Sequence, residues 1–110
     1  MPTTDDRDRL EARWQAIVRD ELPAVARRDR WPLRLDHCFA RVLLDAACGG
    51  RWYDHVEGRP AYRHLDTERL GRAVALGEEL LAADDGRALL VELDDQSLRW
   101  RGKRGPRGRG

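Results

Sequence analysis

Apolar residues recur at steps of three and four along most of this chain, and that spacing limits the fold to one built from helices. The first such stripe comprises Leu10, Trp14, Ile17, Val18, Leu22 and Val25. Residues spaced in this way lie on one face of an α-helix. Stripes with the same period follow within residues 35–47, 70–81 and 87–100. Only residues 88–93 could form a strand, and one strand cannot make a sheet, so the sequence predicts an all-α fold.

Residues with special backbone preferences mark where the predicted helices begin and end. Pro23 lacks an N–H group and predicts either a kink or a new helix that has Pro23 in its first turn. Gly49 predicts a left-handed end to the second helix, and Asp66 can cap the start of the next. Between residues 51 and 65 the pattern is broken and fits one or two short helical turns. We therefore expect a single compact domain of about four main helices plus these short turns.

The length of the chain, 110 residues, is enough for one domain and too short for two. We place the helical domain at residues 1–100 and a basic Arg/Gly-rich tail, predicted to be disordered, at residues 101–110. No apolar run approaches the roughly 20 residues that span a bilayer, and the first ten residues are polar and acidic. A cytoplasmic protein without membrane contact is therefore expected, with Cys38 and Cys48 as reduced thiols rather than a disulfide.

Residues 42–51, VLLDAACGGR, resemble the strand and glycine turn that open the S-adenosylmethionine site of many methyltransferases. Such a site needs a strand before the glycines and several βαβ units around it. Here the residues before the glycines have helical spacing, and Ala47 and Arg51 stand where two glycines of the motif would be. We therefore interpret the segment as a helix end closed by glycine, and we predict no cofactor.

Three histidines and two cysteines invite a metal hypothesis, since imidazole and thiolate are the ligands that zinc prefers. None of their spacings matches a zinc-binding pair, so no metal site is predicted. A Cys38 nucleophile activated by His37 is possible in principle. Adjacent residues point to different sides of a helix, however, and no third orienting group is evident. We therefore assign no catalytic residue.

Each of the four tryptophans directly follows an arginine. Arginine with tryptophan is typical of binding hot spots and of base stacking. Trp14 belongs to the first apolar stripe, whereas Trp31 and Trp52 fall in predicted loops on either side of the second helix. A reversal of the chain at the glycines would bring those loops together. The predicted pocket or interface comprises Trp31, Arg34, Asp36, His37, Cys38, Trp52 and His55.

Charge is distributed unevenly along the chain. Residues 99–110 carry six basic groups and no acid, which leaves 15 basic against 20 acidic groups in residues 1–98, a formal charge of −5. Arginines separated by glycines form a flexible polycation that can follow phosphates. A helix-turn-helix is disfavoured, because its second helix would present acidic residues to the phosphates. Nucleic-acid contacts are predicted at Arg99, Trp100, Arg101, Lys103, Arg104, Arg107 and Arg109.

These features are compatible with three functions. The first is a small helical binding protein that contacts nucleic acid without sequence specificity through its basic tail. The second is an interaction module that binds a protein partner through an Arg/Trp surface around residues 31–55, with the tail incidental. The third is a small enzyme or a ligand-binding pocket around His37 and Cys38. The sequence leaves the oligomeric state open.

Overall fold

The computed structural model describes residues 4–102, and within that range every regular element is helical, as predicted. Five helices of eight residues or more pack into one body, and a 3₁₀ turn (Trp52–Asp54) and the short helix α4 (Ala61–His64) connect the third to the fourth. The long helices are α1 (Thr4–Ala16), α2 (Leu22–Asp29), α3 (Asp36–Cys48), α5 (Thr67–Ala82) and α6 (Gly86–Trp100). None of the helices within residues 4–102 is long and apolar enough to cross a lipid bilayer. Of the tail predicted to be disordered, residues 101–110, the structure describes Arg101 and Gly102, which form a turn after α6, and residues 103–110 lie outside the described range.

A single π-helical turn, Ile17–Glu21, joins α1 to α2 without a break in the helical backbone. The N–H group of Leu22 donates to the carbonyl of Ile17, five residues back. Pro23 follows in the first turn of α2, where its missing N–H group and its ring are tolerated. Pro23 therefore lies in the first turn of a new α-helical segment, as one of the two predicted outcomes has it, although the π turn keeps the backbone helical on both sides.

Helix α3 is the central element, because it contacts α2, α5, α6, the π turn and the 3₁₀ turn. Burial of a large aliphatic or aromatic side chain contributes about 1.5–3 kcal/mol, so the residues that α3 supplies hold the other helices around it. The largest fully buried apolar side chains are those of Phe39, Ile17, Leu22, Leu43, Leu70, Leu80, Leu90 and Val42.

The predicted helix ends are confirmed. Gly49 has a φ of 69°, the left-handed conformation that glycine adopts without steric cost, and the next N–H group donates to the carbonyl of Asp45 at 3.1 Å. The carboxylate of Asp66 accepts from the N–H group of Arg69 at 3.0 Å and so caps α5. Residues 42–51 are therefore a helix end and a turn, not the strand and loop of a cofactor site.

Gly77 and Gly71 both lie inside α5 but in different surroundings, which predicts opposite effects of alanine. Helix propensity alone favours alanine by about 1 kcal/mol at either position. A Cβ at Gly77 would lie 2.8 Å from Cγ2 of Ile17, whereas a Cβ at Gly71 meets nothing within 4 Å. Overpacking costs about 1–3 kcal/mol, so Gly77→Ala is expected to lower the free energy of unfolding and Gly71→Ala to raise it. Urea denaturation measures both; equal stabilisation by the two substitutions would contradict the close contact.

Candidate functional site

A groove of about 590 Å³ is bounded by α1, the π turn, the first part of α3, Trp52 and residues 59–62. Pockets for small organic molecules typically measure roughly 300–1,000 Å³. The groove therefore has room for a ligand of that kind.

The largest apolar side chains of the groove lining are those of Trp14, Val18 and Leu44, which are buried, and of Trp52, which is half-buried, and Ala40, Pro60, Ala61 and Tyr62 complete the apolar and aromatic lining. The Trp52 ring packs edge-on against the ring of Tyr53, with the centroids 5.7 Å apart and the planes at 81°. Apolar and aromatic surface of this kind gains free energy when a ring or alkyl group displaces water from it. The groove is therefore suited to the apolar part of a ligand.

Three arginines line the groove, and two of them pair with no acidic side chain within residues 4–102. These two are Arg19 and Arg59, both exposed. The third, Arg41, donates through Nη2 to Asp94 Oδ1 at 2.6 Å. The acidic residue of the lining, Asp36, is exposed at the start of α3. The groove therefore offers two guanidinium groups whose charge the described part of the chain does not neutralise.

One of these arginines, Arg19, belongs to the π turn, as does the neighbouring Val18. A π turn departs from ordinary helix geometry by one inserted residue, and such turns occur frequently at functional sites. The departure here coincides with the groove wall. This coincidence is a second, independent reason to consider the groove functional.

A set of hydrogen bonds made by α1 holds the wall formed by α4. Arg7 donates through Nη2 to the carbonyl of Tyr62 at 2.8 Å and through Nη1 to Thr67 Oγ1 at 3.0 Å. Gln15 Nε2 donates to the hydroxyl of Tyr62 at 2.8 Å. The wall is therefore preformed, which reduces the conformational entropy that a ligand would have to offset.

Asp45, which is fully buried, binds the backbone of Trp52 and so stabilises the part of the groove wall that Trp52 forms. The backbone N–H group of Trp52 donates to Asp45 Oδ1 at 2.9 Å, and Arg101 Nε donates to Asp45 Oδ2 at 2.7 Å. This hydrogen bonding raises the pKa of the Arg101 guanidinium above its usual value. Arg101 therefore keeps its positive charge at all ordinary pH values, and its contact with Asp45 is made by a cation.

The structure places three of the seven residues of the predicted pocket or interface on the groove, namely Asp36, His37 and Trp52. Cys38, next to His37, is half-buried outside the lining, because neighbouring residues of a helix point to different sides. His55 is exposed and also lies outside it.

Trp31 is buried, whereas Arg34 is exposed, so the two residues do not form a joint Arg/Trp surface. Only 4% of Trp31 is exposed, and its ring packs edge-on against Phe39 with the centroids 6.3 Å apart. Arg34 is exposed and donates through Nε to the Trp31 carbonyl at 3.2 Å. Trp31 belongs to the core because Arg30 ends α2 in the left-handed conformation and turns the next side chain inward. Trp31 therefore presents almost no surface to a partner, contrary to its predicted place in an Arg/Trp docking surface.

The predicted nucleic-acid contacts divide into three groups. Arg99 is exposed and Trp100 half-buried at the end of α6. Arg101, expected to contact phosphate, is only 17% exposed and binds Asp45 instead, because the turn after α6 brings it against the buried carboxylate. The other four, Lys103, Arg104, Arg107 and Arg109, lie outside the described residues.

Cys48 is half-buried at the last position of α3. Burial raises the pKa of the Cys48 thiol, which disfavours the reactive thiolate. Within residues 4–102, no three histidine, cysteine, aspartate or glutamate side chains are grouped so that they could hold a metal ion.

Most of the groove lining was not predicted from the sequence, and Arg19, Arg59 and Tyr62 are three examples. Arg19 lies between two residues of the first apolar stripe, Val18 and Leu22, and resembles an ordinary solvent-facing charge. Arg59 and Tyr62 lie in the segment whose pattern is broken. Only tertiary packing brings these residues together, so no local pattern could have identified them.

Comparison of this chain with models of known protein families, with curated proteins and with solved structures finds no match.

Proposed function

We propose that this protein binds a small organic anion that carries a flat ring, and that the groove is the binding site. The observation that carries the proposal is the position of Arg19 and Arg59, two arginines without an acidic partner in the described part of the chain, beside an apolar surface that includes Trp52. This is the ligand-binding form of the third function considered from the sequence, with the site moved from Cys38 to the groove.

The anionic part of the ligand follows from the chemistry of the guanidinium group. Arginine stays charged at all ordinary pH values and presents planar N–H donors that match carboxylate, sulfonate and phosphate groups. By contrast, Arg7 of α1 binds Glu11, and Arg41, the third arginine of the groove, binds Asp94. An anion in the groove would supply Arg19 and Arg59 with the partner that the described chain does not provide.

The ring of the ligand follows from the aromatic surface. Contacts between aromatic rings add about 0.5–1.5 kcal/mol to the free energy gained by burial alone. The Trp52 ring packs edge-on against Tyr53, and the Trp52 backbone N–H group binds the buried Asp45, so a ligand ring would pack against a surface that already exists without it. The proposal therefore requires both parts, an anionic group and a ring.

Two probes of similar shape test this proposal by isothermal titration calorimetry. Naphthalene-1-sulfonate is expected to bind at least tenfold more tightly than the neutral naphthalene-1-methanol, and the double substitution Arg19→Gln, Arg59→Gln should lower the sulfonate affinity alone by about tenfold. The matched control is Arg27→Gln, which changes an exposed arginine of α2 outside the groove. Equal affinities for the two probes, or an equal reduction with Arg27→Gln, would contradict the proposal.

A second candidate function is contact with nucleic acid without sequence specificity, favoured by the six basic groups of residues 99–110. Release of counterions from phosphates would supply the free energy. Because Arg101 is already paired with Asp45, five of the six groups would carry this binding.

This second candidate predicts a reduced salt dependence when the charges beyond Gly102 are removed. In the full chain, Lys103, Arg104, Arg107 and Arg109 are each changed to Gln, and binding of a fluorescent single-stranded oligonucleotide is followed across a salt series. The slope of log K against log salt should become less steep by up to about 3, at about 0.7 for each phosphate that is no longer neutralised. Shortening the chain to end at Leu98 is a poorer test, because it would also remove Arg101 and leave Asp45 without its cation. Equal affinity and slope in both proteins would refute nucleic-acid binding by this segment.

A further inference from the structure

The two carboxylate oxygens of the buried Asp45 each accept two hydrogen bonds. Oδ1 accepts from the backbone N–H group of Trp52 at 2.9 Å and from Arg101 Nη2 at 3.0 Å. Oδ2 accepts from Ser97 Oγ at 2.6 Å and from Arg101 Nε at 2.7 Å. A single carboxylate of α3 therefore joins the 3₁₀ turn, α6 and the residue that follows α6.

Arg101 also reaches the groove wall by a second route. Its guanidinium lies over the ring of Tyr53, 5.1 Å from the centroid, and the Tyr53 ring packs edge-on against Trp52. Arg101 thus contacts Asp45, which binds the backbone N–H group of Trp52, and Tyr53, whose ring packs against the Trp52 ring. It is not part of the groove lining itself.

The same network includes another groove residue, Arg41. Its Nη1 donates to Ser97 Oγ at 2.8 Å, so the Ser97 hydroxyl lies between Arg41 and Asp45. Arg41 is neutralised by Asp94, which leaves Arg101 as the cation that contacts Asp45 directly. Arg101 therefore supplies the positive charge that balances the buried carboxylate of Asp45. Because Asp45 binds the N–H group of Trp52, Arg101 also helps to hold Trp52 in place.

We infer that Arg101 is a positioning residue of the groove, which holds Trp52 in the wall by neutralising Asp45. The effect of Arg101 on ligand binding rests on the function proposed above, whereas its effect on the position of Trp52 does not. A buried carboxylate without its cation becomes costly, and it is relieved by opening to water or by taking up a proton. Either change weakens the acceptor of the Trp52 N–H group and loosens the groove wall.

Hydrogen exchange of the Trp52 backbone amide, followed by NMR on the full chain, tests the positioning directly. Arg101→Gln is expected to speed this exchange at least tenfold. Arg101→Lys should give an intermediate rate, because lysine keeps the charge but cannot form the two-pronged contact. Arg99→Gln, which changes an exposed arginine two residues earlier, should leave the rate unchanged. The amide of Leu43 in α3 reports global opening; unchanged Trp52 exchange, or equal acceleration at Leu43, would overturn the inference.

The two naphthalene probes separate positioning from direct contact with the anion. Because Arg101→Gln disturbs the ring wall, it should weaken naphthalene-1-sulfonate and naphthalene-1-methanol by a similar factor of about five to ten. The double substitution at Arg19 and Arg59 should weaken the sulfonate alone. A reduction confined to the sulfonate with Arg101→Gln would make Arg101 an anion contact and overturn its positioning role. If the unaltered protein binds neither probe, the proposed function fails, and the exchange of the Trp52 amide still decides the role of Arg101.

Discussion

Replacement of Trp31 by alanine is expected to lower the free energy of unfolding by about 3–5 kcal/mol, the range for removal of a large buried aromatic side chain. Trp31 packs edge-on against Phe39, and its ring leaves so little room at Gly86 that a Cβ there would lie 2.6 Å from Cζ2. Domains of this size are stable by only about 5–15 kcal/mol, so the decrease is a large share of the total. Urea unfolding followed by circular dichroism should show a lower midpoint with an unchanged slope.

Trp52→Ala is the matched control, because it removes the same side chain from a half-buried position on the groove. Its expected cost in stability is smaller, about 1–2 kcal/mol, while its effect on binding of the naphthalene probes is larger. If Trp31→Ala left stability intact and abolished binding of a protein partner, Trp31 would belong to a docking surface and its place in the core would be wrong.

The features that the sequence predicts correctly depend on interactions between close neighbours. Gly49 ends α3 because it has no Cβ, and Asp66 caps α5 through the N–H group of Arg69, three residues on. Pro23 lies in the first turn of α2, where its ring and its missing N–H group are tolerated. A pattern of a few residues carries all the information that such features need.

The direction in which Trp31 points is not determined locally. The sequence places it correctly in a loop between helices, but its ring is buried because Arg30 adopts a φ of 56° and because Gly86, far along the chain, leaves room for it. The candidate site divides in the same way. His37 lies at the start of α3 and Trp52 just after its glycine turn, and both features are recognisable in the sequence. Arg19 and Arg59, in contrast, come to the groove only through tertiary packing.

Asp45 lies between these two cases. It falls three residues after Val42 on the apolar face of α3, and an acidic residue on such a face requires a partner. That requirement is visible in the sequence. The identity of the partner is not, because Arg101 is 56 residues away and has no local feature that distinguishes it from the other arginines near it.

Removal of that partner is the second large effect expected in this protein. Arg101→Leu should lower the free energy of unfolding by about 3 kcal/mol, the lower end of the range for breaking a buried pair, because Arg101 is 17% exposed. Arg72→Leu is the comparison, since Arg72 forms an exposed pair with Glu68. Exposed pairs contribute about 0–1 kcal/mol, so this control should change little. Urea unfolding at low and high salt measures both, and the destabilisation by Arg101→Leu should persist at high salt because the pair is poorly screened.

The cost of Arg101→Leu arises from the charge left behind on Asp45 more than from the missing hydrogen bonds, and a second substitution separates these causes. Asp45→Asn removes the charge while keeping an oxygen that can accept from the Trp52 N–H group. The double variant Arg101→Leu, Asp45→Asn should therefore be more stable than Arg101→Leu alone by about 1 kcal/mol or more. A double variant less stable than either single one would show that shape and hydrogen bonding, not the unpaired charge, dominate at Asp45. If the double variant is more stable than Arg101→Leu, the positive charge of Arg101 is what offsets the cost of burying the Asp45 carboxylate behind the groove wall.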